Sequence, residues 1–447
     1  MQIQVLKLRN AMSLLEGLTS PKARVIANEV KTGKKGRGRK STPAKATAFP
    51  ILHNILLQDG QAIATDLNLG VIVDLPEVVG SYLLPFKQVS KLLAYVPGSD
   101  QVIIEMLGKN VSLKWPEGSA TLEADDPKDY PMIPQIKPVI KQEISADMLV
   151  PNLVTMLDYC AESDERPILS GVSLLLGDQL EIAAGDGFRM AYRTLPVAFP
   201  PTDGLKSVIL PAKAIDILEH LWKKAPRPVP KDGSIQSVVD MVTTKGMMQV
   251  EISPILFKAQ FGTVTLLVKT IQGTPPNFKA LIPTGVEQNE VQLMAPDLER
   301  ALGSIAVSAK DGIGAVRMLW DAGQMKLSAE AGATNVETTI PVHTNNGGGR
   351  IALHINYLME YIKGKQGLLT IKVTTPTAPV VFRYSQAPLV AIMPMQVIWP
   401  DQAQPEVKTG AIEEAKAKAE GETTETEQPG DEDPNEGDEQ GTETVAT

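Results

Sequence analysis

An internal repeat is the feature that most constrains how this chain of 447 residues can fold. Residues 49–57 lead to residues 64–70, and residues 166–176, of similar sequence, lead to residues 184–190. Self-similarity of this kind indicates that one supersecondary unit occurs more than once along a chain. We therefore expect several copies of one small fold rather than a single large one.

The copies extend over most of the chain. A predicted second helix recurs at residues 83–97 and 209–222, and a weaker third copy has residues 351–365 in its place. The first two copies also close on an aromatic residue followed by an Ile-Pro pair. We predict three domains, at residues 1–136, 137–285 and 286–400, each within the usual size of a folding domain. These three segments are called the first, second and third repeats.

The periodicity within each repeat predicts helix, strands, helix and strands. Residues 101–115 and 368–382 alternate between apolar and polar side chains, as half-buried antiparallel strands do. In the second helix of the first repeat, Phe86, Val89, Leu92 and Leu93 share an apolar face. Lys87 and Lys91 lie four residues apart on another face. These patterns predict an α+β fold.

Composition excludes several classes of function. The single cysteine, Cys160, excludes a disulfide scaffold, and the four histidines lie far apart without the spacing of a zinc site. There is no run of about 18 apolar residues that could span a membrane, and residues 1–10 lack the pattern of a signal peptide. We expect a cytoplasmic protein with no catalytic residue, metal ion or cofactor. Asp186 and Arg189 are interpreted as part of a strand-end turn rather than as a catalytic pair.

Charge is distributed unevenly along the chain. Residues 401–447 carry 15 acidic and 3 basic side chains, so the preceding 400 residues have a net charge of +3 although the whole chain has −9. The acidic tail has too few apolar residues to offset its ordering entropy, so we predict that it is disordered. A Gly-rich basic insertion at about residues 22–46 is predicted to be a flexible loop. A basic body with a basic patch is compatible with nucleic acid as a partner.

Four segments resemble a known family. Residues 166–171, 184–191, 274–283 and 391–397 occur in the order and at the spacing of the bacterial DNA polymerase III beta subunit, or beta sliding clamp, family. The resemblance covers about 400 residues and implies three similar domains, each with two helices backed by antiparallel sheets. It further implies a homodimer that closes head to tail into a ring around double-stranded DNA. Such a ring is not an enzyme: it confers processivity because a tethered polymerase stays at high effective concentration near its template.

The resemblance implies that basic residues contact DNA phosphates without reading the base sequence. The candidate DNA-binding residues are Lys34, Lys35, Arg37, Arg39, Lys40, Lys87, Lys91, Lys213, Lys223, Lys224, Arg300, Lys363 and Lys365. The first five belong to the basic insertion, which we predict adds a salt-sensitive contact to DNA.

A pocket for partner peptides between the second and third domains is also implied. Its ligands would be short motifs of the DNA polymerase III alpha subunit, of the clamp loader and of other clamp-binding proteins. Methionine suits a surface that accepts several peptides. The candidate pocket residues are Leu169, Gly185, Gly187, Phe188, Arg189, Met190, Pro276, Leu281, Tyr357, Ala391, Ile392, Met393, Pro394 and Met395. The residues that depart from the usual family pattern are Gly185, Phe188, Ala280, His354 and Gln396.

The ring interface implied by the resemblance pairs an edge strand of the first domain with one of the third. Ala120 and Leu122 are expected on one side, and Ala306 and Val307 on the other. Two alternatives stay open: a specialised clamp paralogue that serves DNA repair, and an interaction scaffold that forms no ring. A metal-dependent DNA enzyme is disfavoured, because no carboxylates or histidines have the spacing of metal ligands.

Overall fold

A computed structural model describes residues 1–19, 49–162, 165–200, 202, 204–225, 246–284, 289–321 and 323–399. The five candidate DNA-binding residues of the basic insertion, at positions 34, 35, 37, 39 and 40, lie outside the described residues, as does the predicted tail at 401–447. By its internal contacts the chain forms one unit from Met1 to Gln396 and another from Val397 to Thr447. Every helix and strand described below belongs to the first unit.

The helices in the described residues form three sequential pairs, one pair in each repeat, and the two helices of each pair contact each other. They are α1 (Val5–Thr19), α2 (Phe86–Leu93), α3 (Ala146–Met156), α4 (Ala212–Lys224), α5 (Ala295–Asp311) and α6 (Ile355–Ile362). The apolar face predicted for α2 is confirmed at Phe86, Val89 and Leu93, which are buried, whereas Leu92 is half-buried. Lys87 and Lys91 are exposed.

Strands form most of the remainder. The strands of the first repeat are β1 (Gln2–Gln4), β2 (Asn54–Gln58), β3 (Gln61–Thr65), β4 (Leu69–Asp74), β5 (Ser81–Pro85), β6 (Gln101–Met106), β7 (Asn110–Trp115) and β8 (Gly118–Glu123). Those of the second are β9 (Ile140–Ser145), β10 (Gly171–Leu175), β11 (Leu180–Gly185), β12 (Arg189–Leu195), β13 (Ser207–Pro211), β14 (Met247–Ile252), β15 (Leu256–Phe261) and β16 (Val264–Lys269). Those of the third are β17 (Asn289–Met294), β18 (Ala315–Asp321), β19 (Gln324–Ala331), β20 (Thr334–Pro341), β21 (His343–Thr344), β22 (Gly349–His354), β23 (Leu368–Val373), β24 (Val380–Arg383) and β25 (Leu389–Ile392).

These strands assemble into four antiparallel sheets within the described chain. Two sheets of four strands, in the orders β1-β6-β7-β8 and β20-β19-β18-β22, each lie within one repeat. An eight-stranded sheet, β5-β2-β3-β4-β16-β15-β14-β9, joins the first and second repeats where β4 pairs with β16. A nine-stranded sheet, β13-β10-β11-β12-β25-β24-β23-β17-β21, joins the second and third where β12 pairs with β25. Because both large sheets cross a predicted domain limit, the division into three domains stays a prediction.

The main hydrophobic core draws residues from all three repeats. Two smaller clusters lie apart from it and are built around Tyr130 and Phe278, the aromatic residues that close the first two repeats. Helices α1 and α4 pack closely across the junction of these repeats: a Cβ atom on Gly17 would lie 2.8 Å from Cδ1 of Ile217. The junction is therefore formed by helix packing as well as by the shared sheet.

The predicted strand regions at 101–115 and 368–382 are confirmed as the pairs β6 and β7, and β23 and β24. The helix predicted within residues 351–365 is shorter than expected. It begins at Ile355, because residues 351–354 complete strand β22 and the ring of His354 then accepts the N–H of Asn356 as the N-cap.

Candidate partner site and basic helix surface

A tight turn between β11 and β12 organises the candidate pocket. The Oδ1 atom of Asp186 accepts the backbone N–H groups of Phe188 and Arg189, both at 2.9 Å. Gly187 has φ +100°, a left-handed conformation that glycine adopts without strain, and an added Cβ would lie 2.8 Å from the guanidinium of Arg166. The turn leaves the side chain of Phe188 61% exposed. The predicted strand-end turn is thus confirmed, and its effect is to present an aromatic ring to solvent.

Arg189 connects three elements of the site. Its Nε donates to Oδ2 of Asp186 at 3.0 Å and its Nη1 donates to Glu360 of α6. The guanidinium lies 4.8 Å from the ring centroid of Tyr357 and 5.5 Å from that of Tyr159, within the range of cation–π attraction. Burial opposes the charged form, but the hydrogen bond and charge of Glu360, with Asp186, outweigh it and raise the pKa of Arg189. Arg189 is therefore a charged side chain that is held in a fixed position between the second and third repeats.

Pairing of β12 with β25 brings the C-terminal methionine segment to this turn. Arg189 lies opposite Ile392 and Met190 opposite Ala391. Just beyond the strand, the N–H of Met393 donates to the carbonyl of Phe188 at 2.8 Å. The side chain of Met393 is 42% exposed, so Phe188 and Met393 form adjacent apolar patches on the surface.

Two short 3₁₀ turns carry other predicted pocket residues. Leu169 ends the turn Pro167–Leu169, and its carbonyl accepts the N–H of Ala161 at 2.8 Å, two residues after Tyr159. Leu281 ends the turn Phe278–Leu281, in which Asn277 caps the N–H of Ala280, and it is 50% exposed. Pro276, half-buried, precedes this turn. The structure thus places Leu169 and Leu281 on separate supports around the turn that contains Phe188.

Some predicted pocket residues are buried beneath the surface of the site and support it. Met190, Ala391 and Ile392 are each at most 5% exposed, so a peptide on the surface would not touch them. Met190 and Ala391 pack with Phe278 in their own small cluster. A Cβ on Gly185 would lie 3.1 Å from Cε1 of Phe278, which explains why a small residue fits there. Pro394 and Met395 are half-buried, and the N–H of Met395 donates to the carbonyl of Ala352 at 2.8 Å.

Sequence reasoning missed two residues that fix the site, Glu360 and Tyr159. Glu360 lies 171 positions from Arg189 in the chain, and nothing local marks either residue as its partner. His354, noted as a departure from the family pattern, lies beside the site with its ring centroid 5.0 Å from that of Tyr357. Burial lowers the pKa of His354, and the nearby charge of Glu360 opposes the shift.

The candidate DNA-binding residues on the helices differ in how free their charges are. Lys87, Lys91 and Lys363 are exposed and make no ion pair with another described residue. Four others are paired at the surface, namely Lys213 with Asp66, Lys223 with Glu219, Lys224 with Glu16 and Arg300 with Asp297. Exposed pairs of this kind are worth little and exchange readily for other anions.

Lys365 differs from the other candidate lysines. Its ammonium lies 4.3 Å from the ring centroid of Tyr361 and 5.8 Å from that of Tyr384, and it donates to the carbonyl of Tyr361. Burial lowers its pKa. This lysine packs against tyrosines, which makes it a weaker candidate for contact with DNA than the exposed lysines.

The two four-stranded sheets leave free edges. Among the described strands, β8 has β7 as its one neighbour and β20 has β19. Within their own repeats, β8 and β20 have the same positions as the strands that pair at the two internal junctions. β4, β12 and β20 end equivalent three-strand meanders, and β16, β25 and β8 end the other set. At both internal junctions a strand of the first kind pairs with one of the second.

The interface residues predicted for the first repeat lie on the expected edge, since Ala120 and Leu122 belong to β8. The placement of Ala306 and Val307 on an edge strand was wrong, because both belong to helix α5. Leu298, Leu302 and Ile305 of α5 are buried at helical spacing, which leaves Ala306 buried and Val307 73% exposed. Helix α5 packs against β19 and β20, so Val307 is carried beside the free edge rather than on it.

Among the described residues, no group of three or more His, Cys, Asp or Glu side chains could hold a metal ion. None of the helices in the described part of the chain is long and apolar enough to cross a membrane.

Comparisons with known proteins agree with this geometry. A family model for the central domain of the DNA polymerase III beta subunit matches residues 150–230. The beta sliding clamp of Synechococcus elongatus is 26% identical over 347 residues, which cover 74% of this chain and 88% of that protein. That of Pseudomonas aeruginosa is 23% identical over 328 residues, which cover 70% of this chain and 83% of that protein.

Solved structures show the same fold. The DNA polymerase III subunit beta of Pseudomonas aeruginosa superimposes with a TM-score of 0.70 at 18% identity, over 88% of this chain and 99% of that one. The beta subunit of Thermotoga maritima superimposes with a TM-score of 0.66 at 18% identity, over 89% of this chain and 99% of that one.

Proposed function

The chain belongs to the bacterial DNA polymerase III beta subunit family, the beta sliding clamps, and from that premise we propose that it closes head to tail as a homodimer around duplex DNA. Its function is that of a DNA sliding clamp in replication, a non-catalytic subunit that keeps the polymerase on its template. The cytoplasm is the proposed location, because the DNA of a bacterium is there.

The single observation that carries the ring is the equivalence of the free edges to the internal junctions. In the order of repeats, β4 pairs with β16 and β12 pairs with β25, which leaves β20 and β8 to pair with each other. They belong to the third and first repeats, so in a head-to-tail dimer β20 of one subunit would meet β8 of the other. A heterologous contact that closes after two copies gives a ring instead of a filament.

Side chains at these edges fit such a contact. Leu122 on β8 and Val336 on β20 are both partly buried and pack against the core of their own sheet. Pairing of the two edges would extend one apolar face across the contact. It would also cover Val307, whose side chain is 73% exposed in one subunit.

The helix lysines support the DNA-binding part of the proposal. Lys87, Lys91 and Lys363 lie on or directly after the second helices of the first and third repeats. Cations that meet phosphates and leave base edges untouched give binding without sequence preference, and this lets a ring move along DNA.

The apolar surface around Phe188 and Met393 is the proposed docking site for partner peptides of the polymerase alpha subunit and the clamp loader. Exposed apolar side chains rimmed by polar groups mark such sites. Arg189, held by Asp186 and Glu360, gives this surface a rigid polar rim. The division at residues 136 and 285 into three clamp domains is part of the same proposal.

The decisive experiment measures mass in solution and retention on DNA. Val307→Asp is the cleanest variant, because a side chain that is 73% exposed in one subunit does not determine its fold. Sedimentation is expected to give a dimer for the wild type and a monomer for the variant, since a buried unpaired carboxylate costs several kcal/mol. Wild-type protein loaded on nicked circular DNA should stay bound and should leave when the circle is cut.

The matched control is Ile103→Asp, which adds the same negative charge on β6. This strand belongs to the same sheet as β8 but lies in its interior. It should stay dimeric. A monomeric wild type at micromolar concentration would contradict the ring and favour a scaffold, and a dimeric Val307→Asp would show that the contact lies elsewhere.

A further inference from the structure

The junction at which β4 pairs with β16, the first junction, has a surface that the proposed function does not use. It lies at the tight turn between β3 and β4. This turn is equivalent to the one that carries Phe188 at the second junction, where β12 pairs with β25. Leu67 in the turn is 47% exposed, and Lys269, the last residue of β16, is exposed as well. An apolar side chain and a cation are thus presented at this junction.

The backbone of Leu67 is held in a left-handed conformation that leucine rarely adopts. Its φ is +75°, whereas the equivalent Gly187 has φ +100° without strain. The N–H of Leu67 donates to Oγ1 of Thr65 at 3.1 Å, and that hydroxyl donates to the carbonyl of Leu69 at 2.8 Å. The turn keeps a strained, half-exposed leucine although glycine would satisfy the same backbone, and strain of this kind clusters at ligand-binding sites.

A second apolar side chain borders the turn. The Cδ1 atom of Ile133 would lie 2.9 Å from a Cβ atom on Gly70, so this side chain covers the backbone of β4 where Gly70 pairs with Thr65. Ile133 is half-buried, and Met132 before it is 94% exposed. Leu67 and Ile133 therefore offer apolar contacts at the tip and at the base of one turn.

Two lysines give this surface its charge. The Nζ atom of Lys213 donates to Oδ2 of Asp66, and the lysine side chain is 47% exposed. The N–H of Lys269 donates to the carbonyl of Asn68 at 2.8 Å, which fixes its backbone next to Leu67. The exposed ammonium of Lys269 makes no ion pair with another described residue. Two ammonium groups against the one carboxylate of Asp66 leave an excess of positive charge.

This combination of side chains selects the chemistry of a partner. Two apolar side chains beside two lysines are complementary to a peptide that carries a carboxylate next to an apolar residue. Lysine binds a carboxylate as a point charge with rotatable donors, so the contact does not require one fixed peptide geometry. A phosphate of DNA would use the lysines but would leave Leu67 and Ile133 in water. The apolar part of the surface therefore favours a peptide.

We infer that the first junction is a second docking surface, which binds an acidic peptide with an apolar anchor through Leu67, Ile133, Lys213 and Lys269. The inference goes beyond the proposed function and does not depend on the ring, although it uses the comparison with the second junction. The two junctions of one subunit then select partners of different chemistry, since the second presents an aromatic ring and a methionine where the first presents Asn68 and Lys269.

The test uses the full-length protein and a short fluorescent peptide of alternating glutamate and leucine, with binding followed by fluorescence polarisation. Leu67→Gly/Lys269→Gln should weaken the binding of this peptide by about 10-fold or more, because the variant removes one apolar anchor and one cation. Glycine takes a positive φ without strain, so the variant should keep its melting temperature. The affinity of the wild type should also fall as the salt concentration rises, because the lysines are exposed.

Two controls are matched to this test. Val79→Gly/Lys206→Gln makes comparable exchanges at an exposed valine and an exposed lysine outside the turn, and should keep the wild-type affinity. A peptide of alternating lysine and leucine has the same apolar content as the glutamate peptide and the opposite charge. It should bind the wild type more weakly than the glutamate peptide does.

Equal affinity of the wild type and of Leu67→Gly/Lys269→Gln for the glutamate peptide, or no binding to the wild type, would overturn the inference. Equal binding of the lysine peptide would show apolar adhesion without selection by charge, and would overturn it as well. Displacement of the peptide by duplex DNA, with weaker DNA binding in the double variant, would assign the lysines to nucleic acid and have the same consequence. The polymerase alpha-subunit peptide tests the second junction separately, so its failure to bind would count against the proposed function and not against this surface.

Discussion

Two turns in equivalent places of the first and second repeats have the same backbone and different side chains. The Oδ1 atom of Asp66 accepts the N–H groups of the residues two and three positions later, at 3.0 and 2.7 Å. The Oδ1 atom of Asp186 does the same, at 2.9 Å for both. The residue after each aspartate has positive φ, Leu67 in one turn and Gly187 in the other. The repeat therefore reproduces the backbone of this turn.

The strand that follows on from each junction also makes an equivalent backbone hydrogen bond to the turn. The N–H of Lys269 donates to the carbonyl of Asn68 at 2.8 Å, and the N–H of Met393 donates to the carbonyl of Phe188 at the same distance. The first junction thus presents Asn68 and Lys269 where the second presents an aromatic ring and a methionine. One backbone arrangement forms a polar junction in one place and the proposed apolar docking surface in the other, and only the side chains differ.

The charged residues beside the two turns differ in the same direction. Asp66 is paired with Lys213, whose side chain is 47% exposed, whereas Arg189 is 11% exposed and is held by two carboxylates. The first pair is a surface contact, and the second is part of the frame of the candidate pocket.

The largest expected difference between the turns is in stability. Arg189→Met leaves Glu360 and Asp186 without their cation and should lower the free energy of unfolding by about 2 kcal/mol. This is less than for a fully buried pair, because Glu360 is 31% exposed. Lys213→Met should cost less than about 1 kcal/mol. Denaturant unfolding of both variants checks the comparison. Equal losses of unfolding free energy would mean that Arg189 does not stabilise the fold more than Lys213 does.

A second, smaller difference is expected in peptide binding. Leu169→Ala with Met393→Ala removes two apolar anchors of the proposed pocket. The double variant should weaken the binding of a fluorescent peptide from the polymerase alpha subunit by about 2 kcal/mol, which is near 30-fold in affinity. The matched control at the first turn, Leu67→Ala with Lys269→Ala, should leave that affinity unchanged. Fluorescence polarisation measures both, and the melting temperature reports whether each variant is folded. Unchanged affinity in the first variant would remove the pocket from this junction.

The smallest expected effect is a dependence of stability on pH, which we expect at the second junction and not at the first. The Nδ1 atom of His354 accepts the N–H of Asn356, so protonation would break the cap of α6. Because burial lowers its pKa in the fold, the unfolded chain takes up a proton near pH 6.5 while the folded chain does not. This group therefore adds stability above that pH and loses its contribution as the pH falls through 6.5 towards the folded pKa.

His354→Asn is the appropriate variant for this effect, because asparagine keeps an N-cap acceptor and does not titrate. Melting temperatures measured at about pH 7.5 and about pH 5.5 should fall more for the wild type than for the variant. An equal fall in both proteins would show that other groups account for the acid sensitivity. The first repeat offers a contrast, since the N-cap of α2 is Pro85 and has no titratable group.

Much of the local structure was predictable from the sequence. The spacing of Phe86, Val89, Leu92 and Leu93 predicted the apolar face of α2, of which Leu92 is only half-buried, and Asp186 was correctly interpreted as part of a strand-end turn. The error at Ala306 and Val307 came from carrying an interface over by resemblance. The spacing of buried residues from Leu298 to Ala309 is helical and would have corrected it.

The sequence by itself determined the repeat, the periodicity of helices and strands, and the turn chemistry, because each depends on residues a few positions apart. Only the tertiary structure decided that β12 pairs with β25 and that Glu360 reaches Arg189. These contacts join residues that lie about 170 to 200 positions apart. Their geometry follows from how the repeats are placed against one another, and no local pattern in the chain specifies that placement.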